Sequence, residues 1–404
     1  MHDAPETQLI AHSTAKAKMA LLFGVLIAGI GNSFVFAILP PIGREMGFAE
    51  LQIGSIITIS AFVFMISAPF WGAKSEVWGR KPVILTALAV YCLTTTLFAF
   101  VVQLRLAGAL SMLAAYGLLV ALRVLFAAGI CGIFPASQAY MADVTSLEER
   151  TAGMSLIGIA MGVGMIAGPG IAAAFSGFGL ALPFYAVAAL AIPAGVLAYL
   201  YIQDVPREIH PAQGKSDGIA MRELLPFLFI STFIMINMSA IQQASAFYFQ
   251  DKFDLNAVET ARAVGLALMA SAVASVSAQV ILVQRIGLSP KTLLRTGVPC
   301  SMIGVLLLLT MDQYPMLVLA MAFFGLGMGQ IMPGTIASIS MKAGLHQQGR
   351  VAGINTSAQG LGFIIGPLIG SGLYTVHPLL PFQICLGLLA LLTINVYFIA
   401  KLPG

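Results

Sequence analysis

Two blocks of this sequence recur almost two hundred residues apart. The run Arg123-VLFAAGICGIF-Pro135 is matched by Met321-AFFGLGMGQIM-Pro333, and Gly164-MIA-Gly168-Pro169 is matched by Gly362-FII-Gly366-Pro367, both at an offset of 198 residues. Solenoid repeats have periods of roughly 20 to 50 residues, so this offset is too long for a solenoid. The chain is therefore predicted to consist of two halves that are built alike.

The composition indicates that both halves lie in a lipid bilayer. Of 404 residues, 59% are hydrophobic and only 9% are charged, whereas about 25% of residues are charged in a soluble domain. The net charge of +4 is small and spread over short loops, which argues against a nucleic-acid partner. The four cysteines stand singly in apolar runs without metal-ligand spacing, so neither a metal site nor another cofactor is expected. Paired halves in so apolar a chain favour a membrane transporter that binds a small molecule and contacts membrane lipid.

Apolar runs of about 20 residues are long enough to cross the hydrocarbon core of a bilayer as helices. The sequence contains twelve such runs, which predicts an all-α membrane protein. The predicted spans are residues 19–40, 51–72, 82–102, 109–134, 152–175, 180–202, 224–248, 262–283, 292–311, 315–341, 351–373 and 379–400.

Basic residues predict how these helices are oriented. Fifteen of the 20 Lys and Arg residues fall on one side of the predicted arrangement and four on the other, with Arg123 inside the membrane. Because basic residues collect in cytoplasmic loops, both termini are predicted to be cytoplasmic, with a bacterial inner membrane as the expected location. The predicted parts are a tail (1–18), a six-helix bundle (19–202), a cytoplasmic linker (203–223) and a second six-helix bundle (224–404).

The loop between the second and third predicted helices reads Gly72-AKS-Glu76-VW-Gly79-Arg80-Lys81-Pro82. Its pattern of Gly, three residues, an acid, two residues, Gly and two basic residues resembles the signature loop of the major facilitator superfamily. Two departures are Glu76 in place of the commoner Asp and Val77 where a basic residue is usual. The resemblance covers the whole chain and implies two pseudo-symmetric six-helix bundles, nearest the drug:proton antiporter branch. A monomer is the expected state.

The same resemblance implies a gate at the cytoplasmic face. An acid at a helix end attracts the positive N-terminus of a neighbouring helix, and a basic residue beside it pairs with another acid. By the resemblance, Glu76 faces the start of the eleventh span and Arg80 pairs with Asp143. The alternative is that the basic residues of the loop only fix topology. The predicted gate residues are Gly72, Glu76, Gly79, Arg80, Lys81 and Asp143.

Arg123 is the one ionisable residue that the predicted spans place deep in the membrane. Burying an arginine there costs at least about 3 kcal/mol, so its side chain is expected to face a wet cavity or a hydrogen-bonding partner. The run Arg123, Phe126, Ala127, Gly129 and Pro135 resembles the helix-four motif of the family, whose arginine is associated with proton coupling. Ala127 replaces a usual glycine and Phe126 a frequent glutamine. The alternative is a structural role, with Arg123 bonded to carbonyls of the first helix.

The Gly-Pro runs of the fifth and eleventh spans resemble the antiporter motif of the family, which implies export. Small residues allow close helix packing and proline weakens the helical hydrogen-bond ladder, so these runs are candidates for bendable contacts. The alternative is packing alone. The helix-bending candidates are Gly164, Gly168, Pro169, Gly362, Gly366 and Pro367.

Polar residues within the spans predict a cavity between the halves, because buried amides need partners that water or a ligand supplies. Asp, Glu and His do not occur in the middle of any predicted span, so Arg123 disfavours cationic substrates. If protons are coupled, the carboxylates are near the membrane ends: Glu76 and Asp143 inside, or Asp251 and Asp254 outside. The substrate-binding or coupling candidates are Arg123, Asn32, Gln138, Asn237, Gln242, Gln243, Tyr248, Gln330, Asn355 and Gln359.

These patterns predict a secondary transporter rather than an enzyme. The favoured hypothesis is export of a small amphipathic molecule, which is neutral, zwitterionic or anionic, by alternating access in exchange for protons; a drug, a metabolite and a siderophore are examples. The alternative is a uniporter or proton-coupled importer of an organic anion. A membrane enzyme would need clustered His, Asp or Cys near one face, and the five histidines lie in tails and loops.

Overall fold

The computed structural model describes residues 4–145, 150–203, 221–310, 312–342 and 348–399. All of its regular structure in these ranges is helical, because a chain in hydrocarbon must satisfy each backbone N–H and C=O within its own helix. The α-helices are α1 (Ala4–Glu45), α2 (Glu50–Trp78), α3 (Arg80–Leu106), α4 (Met112–Ile130), α5 (Ile133–Asp143), α6 (Arg150–Phe175), α7 (Leu182–Tyr201), α8 (Met221–Phe253), α9 (Ala257–Ala278), α10 (Pro290–Thr310), α11 (Tyr314–Lys342), α12 (Gln348–Tyr374) and α13 (Leu380–Ile394).

These helices confirm the predicted all-α membrane fold. Within the described residues, eleven helical segments are long and apolar enough to cross a membrane. The eleventh predicted span coincides with a further long helix, α12, of 27 residues. The fourth span is one crossing made of two helices, α4 and α5. It is interrupted at Cys131 and Gly132 because the ring of Pro135 crowds the carbonyl four residues before it.

The first helix is longer than predicted. The predicted span begins at residue 19, whereas α1 begins at Ala4 and so includes part of the predicted tail, residues 1–18. The cytoplasmic location of that tail stays a prediction. Pro5 stands in the first turn, where its missing N–H has no helical partner to lose. Neither Gly nor Pro follows until Gly24. The backbone therefore continues without interruption from the polar start into the apolar span.

Contacts divide the chain into two compact units. The first is Met1–Ile38, Glu45–Gly47 and Ile59–Ile209, and the second is Leu39–Arg44, Phe48–Thr58 and His210–Gly404. The main division falls inside the predicted linker, residues 203–223, of which 204–220 lie outside the described residues. The second unit differs from the predicted second bundle because it also takes in the carboxyl end of α1 and the first turns of α2.

In the first unit, glycines bring α6 into direct backbone contact with α1. A Cβ atom on Gly164 would collide with the carbonyl oxygen of Leu26, and one on Gly168 would lie 2.8 Å from the carbonyl oxygen of Ile30. Ser33 Oγ donates to the carbonyl oxygen of Gly164 across this contact, at 3.4 Å. Small residues are required here because a side chain would separate the two helices.

The second unit makes the same contact between α12 and α8. A Cβ atom on Gly366 would lie 2.8 Å from the carbonyl oxygen of Ile236. Ser239 Oγ donates to the carbonyl oxygen of Gly362, at 3.3 Å. The sequence repeat is thus a repeat of one helix-packing geometry. Pro169 and Pro367 lie inside α6 and α12, both of which continue past them, and their bending role stays a prediction.

Candidate functional site

α4 places Arg123 in the interior of the first unit. The residue is 9% exposed, and its guanidinium carbon lies 4.5 Å from the centre of the Phe126 ring. Ser60 Oγ on α2 donates to the backbone oxygen of Arg123 at 3.3 Å, which ties α4 to its neighbour at this level. The arginine therefore points among helices rather than toward lipid, as its cost in hydrocarbon requires.

A small cavity of about 10 Å³ adjoins the guanidinium. This volume is roughly the room that one water molecule needs. Arg123 Nε is buried and lacks a hydrogen-bond partner in the described part of the chain, so carbonyls of α1 do not hold this nitrogen. The cavity walls are Phe34, Thr94, Thr95, Phe98, Leu122, Arg123, Phe126 and Phe184.

Tyr91 on α3 is a second buried polar residue in the same region, and it is not among the predicted site residues. Its ring centre lies 5.5 Å from that of Phe126, and the ring fills the space that a Cβ atom on Gly31 of α1 would need. The hydroxyl is buried without a hydrogen-bond partner among the described residues. Buried polar atoms of this kind usually bind an ordered water or a ligand group.

In the second unit, α8 presents two buried amides. Asn237 Nδ2 donates to the carbonyl oxygen of Phe233 at 2.8 Å, whereas its Oδ1 is buried without a partner among the described residues. Both polar atoms of the Gln243 side chain, Nε2 and Oε1, are also buried without a hydrogen-bond partner among the described residues. Gln243 lies where α12 approaches α8: a Cβ atom built on Gly370 of α12 would be 3.1 Å from the Cβ atom of Gln243. These amides are the candidate ligand groups of the second unit.

Three of the predicted cavity residues instead have their polar groups engaged in packing. Gln330 accepts from Thr296 Oγ1 at 2.6 Å and donates to the carbonyl oxygen of Leu326 at 3.0 Å. Tyr248 accepts from Lys252 Nζ at 2.7 Å. The third, Asn355, accepts from the hydroxyl of a serine on α8. These contacts favour structural roles, so ligand binding at the three residues stays a prediction.

The other predicted cavity residues have less buried side chains. Asn32 on α1 and Gln138 on α5 are exposed. Gln242 on α8 and Gln359 on α12 are half-buried. Arg123 and the α8 amides belong to different units, and the chamber predicted between them stays a prediction.

The structure confirms the predicted contact between Arg80 and Asp143. Arg80 Nε lies 3.5 Å from Asp143 Oδ2, and Ser75 also accepts a hydrogen bond from the guanidinium. Gly79, which precedes α3, has a φ of +95°, a value that favours glycine. Glu76 is exposed, and the residues that lead into the eleventh span, 343–347, lie outside the described residues. The gating role of this contact stays a prediction.

A charge cluster at the carboxyl end of α1 was not predicted as a site. Arg44 Nη2 donates to Glu50 Oε1 at 2.8 Å and to Asp251 Oδ2 at 3.0 Å. Tyr374 donates to the same Asp251 oxygen at 2.7 Å. The Arg44 guanidinium carbon lies 4.8 Å from the ring centre of Phe247. We call Arg44, Glu50, Asp251 and Tyr374 the Arg44 cluster; it joins α1 and α2 to α8 and α12 within the second unit.

Sequence comparison identifies the family. The profile of the Major Facilitator Superfamily matches residues 21–297 and, in a second match, residues 228–404. The chain belongs to this superfamily. The predicted resemblance is thereby confirmed, and this facilitator is a membrane transporter.

Its curated relatives include bacterial drug exporters at low identity. Multidrug resistance protein 2 of Bacillus subtilis is 25% identical over 387 residues, which cover 90% of each chain. The quinolone resistance protein NorA of Staphylococcus aureus is 21% identical over 379 residues, covering 92% of this chain and 93% of NorA. These relatives support the predicted drug:proton antiporter branch.

Solved structures show the same fold. The nucleoside transporter NupG has a TM-score of 0.72 at 13% identity, covering 94% of this facilitator and 98% of NupG. The human organic anion transporter MFSD10 has a TM-score of 0.67 at 17% identity, covering 95% of this facilitator and 99% of MFSD10. At such identities the likeness concerns the fold alone.

This facilitator has charged contacts at two different sets of helix ends. The Arg80–Asp143 contact joins the start of α3 to the end of α5, and the Arg44 cluster lies at the far end of α1 and the start of α2. A sequence signal for the second existed, since Arg44 is one of only four basic residues assigned to the outer side and Asp251 is a predicted coupling carboxylate. No sequence pattern paired Arg44 with Asp251, because 207 residues separate them along the chain.

Proposed function

We propose that this facilitator exports a small amphipathic molecule by alternating access in exchange for protons. The substrate is neutral, zwitterionic or anionic, and a drug, a metabolite or a siderophore would fit this description. Support comes from the relatives named for multidrug and quinolone resistance and from the Gly-Pro runs of α6 and α12. The conclusion on charge comes from this chain alone.

The buried guanidinium of Arg123 is the observation that carries this proposal. Its Nε has no hydrogen-bond partner in the part of the chain that the structure describes. All 16 acidic residues of the sequence lie outside the middle of the predicted spans. A substrate with a negative group would offset part of the roughly 3 kcal/mol that burying an arginine costs, whereas a cation would be repelled. The cavity must widen beyond its present size of about 10 Å³ to admit such a group.

Proton coupling is proposed to use carboxylates near the ends of the spans. Asp143 is paired with Arg80, and Asp251 is paired with Arg44. Both pairs involve partly exposed carboxylates that water reaches. A proton and an arginine compete for such an oxygen, so either carboxylate could link proton binding to a helix movement.

The location and arrangement belong to the same proposal. The excess of basic residues on one side supports cytoplasmic termini and a bacterial inner membrane. The sequence repeat supports two six-helix bundles joined by a cytoplasmic linker over residues 203–223. We propose that the chain acts as a monomer.

Transport into proteoliposomes of known orientation tests the proposal. Anionic, zwitterionic and cationic amphipathic compounds are compared with and without a pH gradient. The pH gradient should drive transport of anionic or zwitterionic compounds by the wild type. The Arg123→Met variant should not transport these compounds. Arg105→Gln is the matched control, because Arg105 is also an arginine but is held by the backbone oxygen of Met46, at 3.0 Å. Selective transport of lipophilic cations would refute the charge argument.

Uniport or proton-coupled import of an organic anion is the second candidate. The buried guanidinium of Arg123 favours this candidate as well, because it could bind an anion whether the anion is exported or imported. Proton release on substrate binding, measured with a pH-sensitive dye in weakly buffered detergent solution, distinguishes the candidates. Release supports exchange, and its absence supports uniport.

A further inference from the structure

An apolar groove runs between α3 and α7 on the surface of the first unit. Its volume is about 440 Å³, within the range of roughly 300–1,000 Å³ that small-molecule pockets occupy. Leu85 and Leu88 of α3 form one wall, and Ile192, Val196 and Leu200 of α7 form the other. The three α7 residues are more than half exposed, so the groove is open on the outer surface of the helices, perpendicular to their axes. It therefore faces the lipid that surrounds a spanning helix.

Gly195 keeps the groove open. A Cβ atom built on it meets no heavy atom within 4 Å. On either side of it along α7, Ala191 and Tyr199 also line the groove. The space beside Gly195 would be filled by almost any side chain, and its emptiness is a property of this residue.

Two lysines stand at one end of the groove. Lys81 Nζ lies 4.9 Å from the ring centre of Tyr199, which is itself a lining residue. Lys16 Nζ lies 5.7 Å from the ring centre of Tyr201, at the last residue of α7. Tyrosines and lysines of this kind mark the level of the lipid headgroups, where the ring is half in hydrocarbon and the ammonium reaches water.

The groove thus combines an apolar channel with positive charge at one end. We propose that it binds an anionic phospholipid, with one acyl chain along α3 and α7 and the phosphate beside Lys81 and Lys16. Charge complementarity selects an anionic lipid over a zwitterionic one, since each basic residue near a headgroup favours negative lipid. Apolar walls suit an acyl chain better than a polar substrate. This site is separate from Arg123 and does not depend on the proposed transport function.

Native mass spectrometry of the purified full chain tests the charge at the end of the groove. The protein is equilibrated with equal amounts of phosphatidylglycerol and phosphatidylcholine that carry the same acyl chains. The wild type should retain phosphatidylglycerol preferentially. Removing one lysine should lower that preference about fivefold, and Lys16→Gln with Lys81→Gln roughly 25-fold. Lys74→Gln is the control: its Nζ lies 4.6 Å from the Trp78 ring, away from the groove, and the preference should not change.

A second pair of variants tests the groove itself. Gly195→Leu fills it and should reduce retention of both lipids at least fivefold. Gly117→Leu on α4 is the matched control, because a Cβ atom there also meets nothing within 4 Å. Melting temperatures confirm that both variants are folded. Equal retention of the two lipids by the wild type, or an unchanged preference in the double lysine variant, would overturn the proposal. So would displacement of the lipid by a transported compound, which would make the groove a substrate entrance.

Discussion

Replacing Arg44 by glutamine should weaken the attachment of α1 and α2 to α8 and α12. The side chain of Arg44 is 19% exposed, and those of its partners Glu50 and Asp251 are 24% and 48% exposed. In alternating access the ends of the helices on one side must separate and close again in every cycle. The Arg44 cluster joins four helices at such an end, so it should stabilise the state with those ends together.

The size of the effect follows from the contacts that glutamine loses. The half-exposed pair with Asp251 is screened by water and contributes about 0.2–1 kcal/mol. The hydrogen bond to Glu50 joins α1 to α2 and neither of them to α8 or α12, so its loss does not add to this effect. Contact of the guanidinium with the Phe247 ring adds about 0.5 kcal/mol. A loss of about 1 kcal/mol across the contact with α8 corresponds to a roughly fivefold rise in the separated population.

Accessibility of a cysteine at position 371 measures that population. Ser371 is fully buried and packs against α2, since a Cβ atom on Gly54 would lie 2.8 Å from the Ser371 Cβ. In a variant whose four native cysteines are replaced by alanine, Ser371→Cys should react slowly with a water-soluble maleimide. Adding Arg44→Gln should raise the initial rate about fivefold. Arg105→Gln, which leaves the cluster intact, should change that rate less than about twofold. Equal rates in the two arginine variants would refute the reasoning.

Three further predictions concern the other contacts. Gly168→Ala should lower the free energy of unfolding by about 1–3 kcal/mol, because the new Cβ atom would meet a carbonyl oxygen of α1. Gly195→Ala is the control and should leave the free energy of unfolding unchanged, because a Cβ atom there meets open space. Equal melting temperatures of the two variants would contradict the prediction. Arg80→Ala or Asp143→Asn should reduce transport in vesicles at least several-fold while membrane insertion is intact, and unchanged rates would count against a gate. Arg123→Met should abolish transport of anionic compounds without lowering the melting temperature, because it removes a buried charge whose Nε has no hydrogen-bond partner among the described residues. A marked fall in melting temperature would show a structural role instead.

The helices could be predicted from sequence because their cause is local. An apolar run of about 20 residues in lipid has no alternative to a helix, whatever surrounds it. The Arg80–Asp143 contact was also predictable, but by a different route. It required the family resemblance of the loop, since nothing in the spacing of the two residues brings them together. The interruption of the fourth span at Cys131 follows from Pro135, yet a hydropathy pattern does not register the loss of one hydrogen bond.

The polar candidates show where a pattern stops being informative. Gln330 and Gln243 are both glutamines within apolar spans, and sequence gives no reason to separate them. In the structure Gln330 bonds to Thr296 of the neighbouring helix, whereas both polar atoms of Gln243 lack partners among the described residues. The difference depends on whether a hydroxyl faces the amide across a helix contact. That is a property of tertiary packing, and so is the grouping of the Arg44 cluster.

The internal repeat shows which features of the fold are steric and which are chemical. A Cβ atom built on Gly168 or on Gly366 would lie 2.8 Å from a carbonyl oxygen of α1 or of α8, respectively, so the close helix contact is present in both units. The position that corresponds to Arg123 is Met321, which is fully buried and lies against the hydroxyl of Ser245 at 3.8 Å. A methionine fills that space without charge and needs no partner. One unit therefore places an ion where the other places an apolar side chain. Because both units need the same packing, this difference cannot serve packing, and it supports assigning charge selection to the first unit.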